Sequence, residues 1–126
     1  MNIGDKTYST GVNPRSFASN ISRTATSAAE MFTLPPYTIV KDVRIVGAKS
    51  NAGTSARLSI GSSGGGGSEF LADFNVKANG AVSYPSSFVH DVAATNPNPV
   101  IVTATYAEDG SASNTGGPWT IIFDVI

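Results

Sequence analysis

The sequence predicts an all-β protein, a single β-sandwich or jelly-roll-like domain with an extended N-terminal arm. Short segments of β-branched and aromatic residues recur along the chain, separated by Gly, Pro, Asn and Ser. No stretch of ten residues shows the period of an amphipathic helix, and this combination is typical of sandwiches and jelly rolls. The length of 126 residues fits one such domain. We place the arm at residues 1–27 and the sandwich at residues 28–126.

The arm differs in composition from the rest of the chain. Residues 1–27 are rich in Ser, Thr and Asn, and their large apolar residues keep no helical or strand period. A disordered leader rarely retains such residues, so we interpret the segment as an arm that orders on a neighbouring subunit; a loose terminus is the alternative. The arm residues predicted to contact that subunit are Tyr8, Val12, Phe17 and Ile21.

Two strands are predicted after the arm, divided by a proline pair. The first covers residues 30–34 and ends at Pro35-Pro36, because proline cannot lie inside a paired central strand. The second covers residues 37–46 and alternates between apolar and polar side chains, the pattern of a half-buried strand. The residues assigned to its shared apolar face are Ile39, Val43 and Ile45.

The middle of the chain predicts further short elements around a glycine-rich loop. A strand over residues 56–60 alternates apolar side chains with Arg57 and Ser59. Residues 61–67 contain five glycines and predict a loop with high backbone entropy. The segment 70–74 that follows fits either a strand or one helical turn, since the period of its side chains does not decide between them.

One dipeptide gives a sharp local signal. Asn79-Gly80 is the preferred pair for a type I′ turn, whose two central residues need positive φ. It predicts a hairpin between residues 76–78 and 81–84. Residues 87–92 give another short segment, which ends before the run Asn-Pro-Asn-Pro at 96–99.

The last two strands are the most regular. Residues 100–106 are β-branched almost throughout, which favours a strand. A polar loop over 108–118 leads to a final strand over 119–126. One face of this strand carries Trp119, Ile121, Phe123 and Val125. Ile122 and Ile126 on the opposite face predict a strand that is covered on both sides.

Composition excludes several classes of partner. Charged residues make up 13% of the chain, against about 25% in an average soluble domain. The eight Lys and Arg are dispersed and the net charge is −1, so the sequence predicts no nucleic-acid binding, which needs clustered positive charge. No apolar run approaches the ~20 residues of a membrane span, and we predict no membrane association. The absence of Cys excludes disulfides and Cys-ligated zinc.

A hydrolase motif is present only by accident. Residues 61–65 match G-x-S-x-G around Ser63, and Asp73 and His90 follow in the order of a catalytic triad. That motif needs a strained strand-to-helix turn, and no helix is predicted after it. Because a run of glycines cannot hold Ser63 within hydrogen-bond reach of a single histidine, we predict no catalytic residues and no small-molecule substrate.

Metal and cofactor sites are also not expected. His90 is the only histidine, so a His-rich metal site is impossible. The loop that begins with Glu108-Asp109 and includes Asn114 offers oxygen ligands of the kind calcium prefers, but it lacks the acidic spacing of a calcium loop. We therefore interpret this loop as a solvated hairpin tip and predict no metal and no cofactor.

The single tryptophan admits two interpretations. Trp119 and Tyr106 could form an aromatic platform for a sugar ring. Trp119 nevertheless begins an apolar strand face, and this position favours packing in the core or at a subunit interface.

The strand region resembles small β-rich structural proteins of tailed bacteriophages. The resemblance covers about residues 24–126 and is carried by Gly-, Thr- and Ala-rich motifs. The stretches involved are residues 24–30, 32–35, 39–47, 51–61, 70–72 and 103–106. It implies a capsid cement (decoration) protein or another small virion component, non-enzymatic and oligomeric, and it transfers no site residues.

These features lead to two hypotheses. In the first, the chain is a cement protein on the outer capsid surface of the virion, bound to the major capsid protein and to itself, as a homotrimer at a quasi-threefold site. In the second, it is a fibre, tail or spike module that binds host-surface carbohydrate through an exposed aromatic residue. Candidates for that residue are Tyr37, Tyr84 and Trp119.

Overall fold

The computed structural model describes residues 15–78, 81–84 and 95–126, which form eight β-strands and no helix. The strands are β1 (Arg15–Ile21), β2 (Ala29–Leu34), β3 (Val40–Gly47), β4 (Ser55–Ser62), β5 (Leu71–Asn75), β6 (Ala81–Tyr84), β7 (Val100–Asp109) and β8 (Trp119–Val125). The all-β prediction is therefore confirmed. No helix capable of spanning a membrane occurs in the described part of the chain.

The eight strands form two antiparallel sheets of four. One sheet has the order β1-β8-β3-β6, which we call the β8 sheet, and the other has the order β2-β7-β4-β5, which we call the β7 sheet. The first strand pairs with the last, the second with the seventh, the third with the sixth and the fourth with the fifth. This nested pairing is the strand order of a jelly roll. It decides between the two architectures that the sequence left open.

The core lies between the inner faces of the two central strands. Alternate residues of β8 are at most 1% exposed, as their period of two predicted. β7 contributes a matching inner row. The two rows are Trp119, Ile121, Phe123 and Val125 on β8 and Val100, Val102, Ala104 and Tyr106 on β7. The predicted apolar face of the final strand is thus confirmed, and on the opposite face Ile122 and Ile126 are partly buried.

A row of phenylalanines links the two sheets. Phe32 of β2 lies between Phe17 of β1 and Phe123 of β8, with ring centroids 5.7 and 5.1 Å away. Phe123 also contacts Phe70, just before β5, at 5.0 Å. The Phe32–Phe123 and Phe123–Phe70 pairs meet edge to face, which is the favourable geometry for aromatic rings.

A second aromatic pair closes the core at the opposite end of β8. The ring of Trp119 stacks on that of Tyr106 at 5.2 Å, with planes 17° apart. Two glycines make room for the indole. A Cβ atom on Gly47 would lie 2.6 Å from Trp119 Cδ1, and one on Gly117 would lie 2.9 Å from Cζ3. Trp119 is fully buried, so packing, and not a sugar-binding face, is its role in this fold.

The start of β3 differs from the prediction. The strand begins at Val40, three residues later than expected, and its pairing with β8 shifts register between Val40 and Asp42. Because such a bulge reverses which alternate side chains face inward, Val40 is buried whereas Ile39 is 51% exposed. Assigning Ile39 to the buried face was wrong; Val43 and Ile45 are buried as predicted.

The predicted hairpin is also wrong. Residues 76–78 form a turn, and β6 pairs with β3 of the same sheet. The Asn75 side chain directs this turn, since its Oδ1 atom accepts hydrogen bonds from the amides of Lys77 and Ala78. The segment 71–75 is a strand and not a helical turn. Asn79-Gly80 and the predicted segment 87–92 lie outside the described residues.

Strand β1 was not predicted. Arg15–Ile21 lies within the predicted arm, yet it pairs with β8 along seven residues, from Arg15 opposite Val125 to Ile21 opposite Trp119. Ile21 is 2% exposed and belongs to the core. Polar residues on the outward face of β1 hide its strand character in the sequence. The division of the chain at residue 27 remains a prediction, while residues 15–21 are integrated in the β8 sheet.

Replacing Phe123 tests the importance of the phenylalanine row. We expect Phe123→Ala to lower the free energy of unfolding by about 3–5 kcal/mol, since it leaves a cavity between its two aromatic partners, Phe32 and Phe70. Ile122→Ala on the half-exposed face of the same strand is the matched control and should cost far less. Urea unfolding of both variants measures the difference; equal losses would contradict this account of the core.

Candidate interaction surfaces

The accidental hydrolase motif is not assembled into a site. Ser63 lies in the loop after β4, where its amide donates a hydrogen bond to the carbonyl of Ile101 at 2.9 Å. Asp73 lies on β5 and interacts instead with Ser59 and with Arg57, 3.8 Å from its Nε atom. His90 lies outside the described residues. Ser63 and Asp73 therefore have separate structural partners.

The glycine-rich loop is held by one carboxylate. Glu69 accepts hydrogen bonds from the Ser62 hydroxyl, from the Gly67 amide at 2.9 Å and from the Ser62 amide at 3.3 Å. Desolvation opposes ionisation of this group, but the hydrogen bonds from Ser62 and Gly67 outweigh it and lower the pKa of Glu69. The Glu69 side chain, which follows the loop in sequence, therefore restricts the backbone freedom that the glycines would otherwise give it.

The acidic pair at the end of β7 is divided between the two faces of the strand. Successive strand residues point to opposite faces, so Glu108 turns inward and Asp109 turns outward to Arg57, with 2.7 Å between Asp109 Oδ2 and Arg57 Nη1. Asn114 hydrogen-bonds to Asn51 at 2.7 Å. Within residues 15–78 and 95–126, no three His, Cys, Asp or Glu side chains are grouped to hold a metal ion.

The inward carboxylate belongs to a hydroxyl network beside Trp119. The Tyr106 hydroxyl donates to Glu108 at 2.6 Å and lies 2.8 Å from the hydroxyl of buried Ser50, which donates to Ser113 at 2.9 Å. The hydrogen bonds from Tyr106 and the Ser113 amide lower the pKa of Glu108. Burial, together with the bond to Glu108, raises the pKa of Tyr106. These shifts keep the phenol neutral and the carboxylate ionised.

Asn51 extends this network to the loop between β7 and β8. Its Oδ1 atom accepts hydrogen bonds from the Ser113 hydroxyl and from the amides of Asn114 and Thr115, at 2.9, 3.0 and 3.2 Å. One side chain thus provides the acceptor for the backbone amides of two consecutive residues and for the hydroxyl of the residue before them. The polar residues of this loop, predicted to be a solvated tip, serve to fix its conformation.

The outer face of the β8 sheet is a broad, weakly charged surface. Register places Ala18, Ile122 and Arg44 side by side across β1, β8 and β3. Arg44 is neutralised by Asp124, with nitrogen–oxygen distances of 3.0 and 3.1 Å. We define the outer β8 face as Ser16, Ala18, Asn20, Thr120, Ile122, Asp124, Asp42, Arg44 and Val46. Val46, 52% exposed, is its most exposed large apolar residue.

A second exposed apolar site lies at the opposite end of β3. Tyr37 is 62% exposed and has a φ of 58°, which is unfavourable for an aromatic residue. Its amide donates to Asn96 at 3.0 Å, and the next residue, Thr38, donates its hydroxyl to the Pro35 carbonyl at 2.7 Å. These bonds fix the backbone around Tyr37, whose ring is exposed to solvent. Of the other two aromatic candidates, Trp119 is buried and Tyr84 lies in β6.

The predicted arm residues fall into two groups. Phe17 and Ile21 are in β1 and direct their side chains to the core of their own chain. Tyr8 and Val12 lie outside the described residues. Sequence reasoning did not identify the outer β8 face, because its members come from three strands separated by up to about a hundred positions. The alternation of polar and small residues over 16–20 was the available signal.

The fold has a counterpart among solved structures. The chain is similar to a chain described as "Cyanophage Pam1 capsid asymmetric unit", with a TM-score of 0.64 and 16% sequence identity. The match covers 99% of this chain and 91% of the other. No protein-family model and no curated protein matches the sequence. At this identity the likeness establishes a common fold.

Acid should destabilise the protein below about pH 4.5, the ordinary pKa of Glu. A carboxyl group with a lowered pKa in the folded state stabilises the fold above its unfolded pKa, and this contribution is lost as pH falls through the folded pKa. Glu69, Glu108, Asp109 and Asp124 all have lowered pKa values.

We expect Glu69→Gln to weaken this acid dependence, because glutamine does not titrate. Ser62→Ala should act in the same direction by removing the hydroxyl donor to Glu69. Urea unfolding between pH 3 and 7 measures the effect. Unfolding curves of both variants that follow the wild type at every pH would refute the role assigned to Glu69.

Proposed function

We propose that this chain is a non-enzymatic structural protein of a bacteriophage virion, a cement (decoration) protein that binds the outer surface of the head and stabilises it. The observation that carries the proposal is the shared jelly roll with a capsid chain, matched over almost the whole length of both chains. The resemblance of residues 24–126 to small structural proteins of tailed phages points in the same direction.

The distribution of charge supports a role in an assembly. Asp124, Asp109, Glu108 and Glu69 are each engaged by donors of their own chain. The outer β8 face presents mostly small, polar and aliphatic side chains, and its charged residues are Asp42 and the neutralised Arg44–Asp124 pair. Such a face suits contacts made by shape and hydrogen bonding, because little charge must be desolvated when it is covered.

The partners in this proposal are the major capsid protein and other copies of the chain. Three copies would surround a quasi-threefold site on the capsid, with the segment before β1 contacting a neighbouring subunit. Within the described residues, Ser63 and Asp73 hydrogen-bond to different partners and no group of metal ligands is assembled. This arrangement supports a structural protein better than an enzyme.

The arm hypothesis now concerns residues 1–14. Residues 15–21 form β1, so a truncation that tests the arm must stop before Arg15; removing residues 1–23 would also remove a strand of the β8 sheet. We expect deletion of residues 1–14 to abolish binding to capsids that lack the protein while the melting temperature is retained. Co-sedimentation with such capsids measures binding.

Two double variants refine this test. Tyr8→Ser with Val12→Ser should weaken capsid binding, because both apolar anchors of the arm are lost. Thr7→Ser with Thr10→Ser is the matched control in the same segment and should bind normally. Full binding by the protein without residues 1–14 would eliminate the arm as an anchor.

A second function is favoured by the exposed tyrosine. Tyr37 is 62% exposed on a backbone held by hydrogen bonds, as expected for an aromatic residue that stacks on a sugar in a host-binding fibre or spike module. In that case Tyr37→Ala would abolish, and Tyr37→Phe would retain, binding on a glycan array. We expect no glycan binding by the wild type. We also expect labelled virions to show many copies distributed over the head and not a few copies at the tail.

A further inference from the structure

The four edge strands of the sandwich differ in how well they are protected against pairing with another chain. In the β7 sheet, the pairing of β2 shifts register between Glu30 and Phe32, and β5 contains a register shift together with Asp73 at a φ of 52°. In the β8 sheet, β6 has only four residues. Bulges and short edges are the usual devices that prevent edge-to-edge association.

Strand β1 has none of these devices. Its seven residues pair with β8 in one continuous register, and its other edge has no partner strand among the described residues. It contains no proline, and its only charged residue is Arg15 at its beginning. The Arg15 guanidinium lies 5.7 Å from the ring centroid of Phe17, near the end of the strand. The middle of the edge is therefore uncharged and regular.

The side chains of β1 also leave its free edge uncovered. On the outer face, Ser16 donates a hydrogen bond to Asp124 at 2.6 Å, and Asn20 accepts one from Thr120 at 2.8 Å. Both side chains thus lean toward β8 and away from the free edge. Ala18, exposed between them, is too small to shield the backbone.

We propose that β1 pairs edge to edge with β1 of a second copy of this chain, antiparallel and across a two-fold axis at Ala18. The two β8 sheets then become one continuous sheet of eight strands. Centring the axis on Ala18 overlaps all seven residues of both strands. The inner faces of both copies then lie on the same side of the joined sheet, since a two-fold axis perpendicular to the sheet does not exchange its two sides.

The strand is complementary to itself in this register. Ser16 lies opposite Asn20 of the partner subunit, where a side-chain amide can donate to a hydroxyl oxygen. Ala18 lies opposite Ala18 of the partner subunit, so two small side chains meet on the axis. Arg15 lies opposite Ile21 of the partner subunit, and no two like charges face each other. Because the strand is complementary to itself, we identify the partner of the β1 edge as a second copy of the chain.

The pairing stands independently of the proposed function. It concerns the free protein, and a two-fold contact at the β1 edge can link copies that belong to different threefold groups on a capsid. A seven-residue strand pair buries less area than the roughly 1,600 Å² of a standard interface. The contact is consequently weak between free copies, and covalent trapping is the suitable assay.

The chain contains no cysteine, so single cysteines report the register directly. Directly opposed residues of antiparallel strands have Cα atoms about 4.5–5.5 Å apart, which a disulfide can bridge. Under mild oxidation we expect Ala18→Cys to convert largely to a disulfide-linked dimer on a non-reducing gel. Ser16→Cys, on the same face and equally exposed, should remain monomeric because its copies would be about 13 Å apart.

A mixture completes the test. Ser16→Cys mixed with Asn20→Cys should give the heterodimer, while each variant alone gives none. Absence of the Ala18→Cys dimer, or equal dimerisation of Ser16→Cys, would overturn the proposal. So would an Ala18→Cys dimer that forms only after residues 1–14 are deleted, because the arm of the same chain would then occupy the edge. Melting temperatures of the reduced variants check folding, and capsid binding is scored separately.

Discussion

The contact between the inner faces of β7 and β8 is the interaction on which the remainder of the structure depends. Each strand is central in its sheet, so their rows of buried side chains hold both sheets together. The Trp119–Tyr106 stack closes one end of this contact and the phenylalanine row around Phe123 extends it across the edge at β1. With the sheets fixed in this way, the positions of the loops and of the outer faces follow.

Several polar side chains hydrogen-bond to the loops of their own chain and fix the conformation of those loops. The Tyr106 hydroxyl connects the core to Glu108 and Ser50, Asn51 fixes the loop before β8, and Glu69 fixes the glycine-rich loop. Four carboxylates of the described residues, those of Glu69, Glu108, Asp109 and Asp124, accept hydrogen bonds from donors of their own chain. Among the described residues, the outer β8 face, the β1 edge and the exposed Tyr37 are the surfaces that we consider for contact with other molecules.

Strands with a regular alternation of apolar and polar side chains were predicted correctly, whereas features that depend on pairing between strands were not. β8 and β4 were predicted with their correct buried faces because a strand buried on one side must alternate. The hairpin at Asn79-Gly80 was wrong because Asn75 makes a turn in the preceding residues and β3 supplies the partner of β6. Ile39 was misplaced because a bulge, which depends on pairing with β8, reversed the alternation at Val40. β1 was missed because its outward residues are polar.

The sequence by itself determined that the chain is all-β and which residues of β4 and β8 form the core, while its dispersed Lys and Arg predict no nucleic-acid binding. These properties follow from local pattern and composition. Only the tertiary structure decided the jelly-roll order, the bulge that exposes Ile39 and the position of β1 at the edge of its sheet. Those features arise from pairing between strands far apart in the chain, such as β1 with β8, and the spacing of side chains along one strand contains no information about its neighbour.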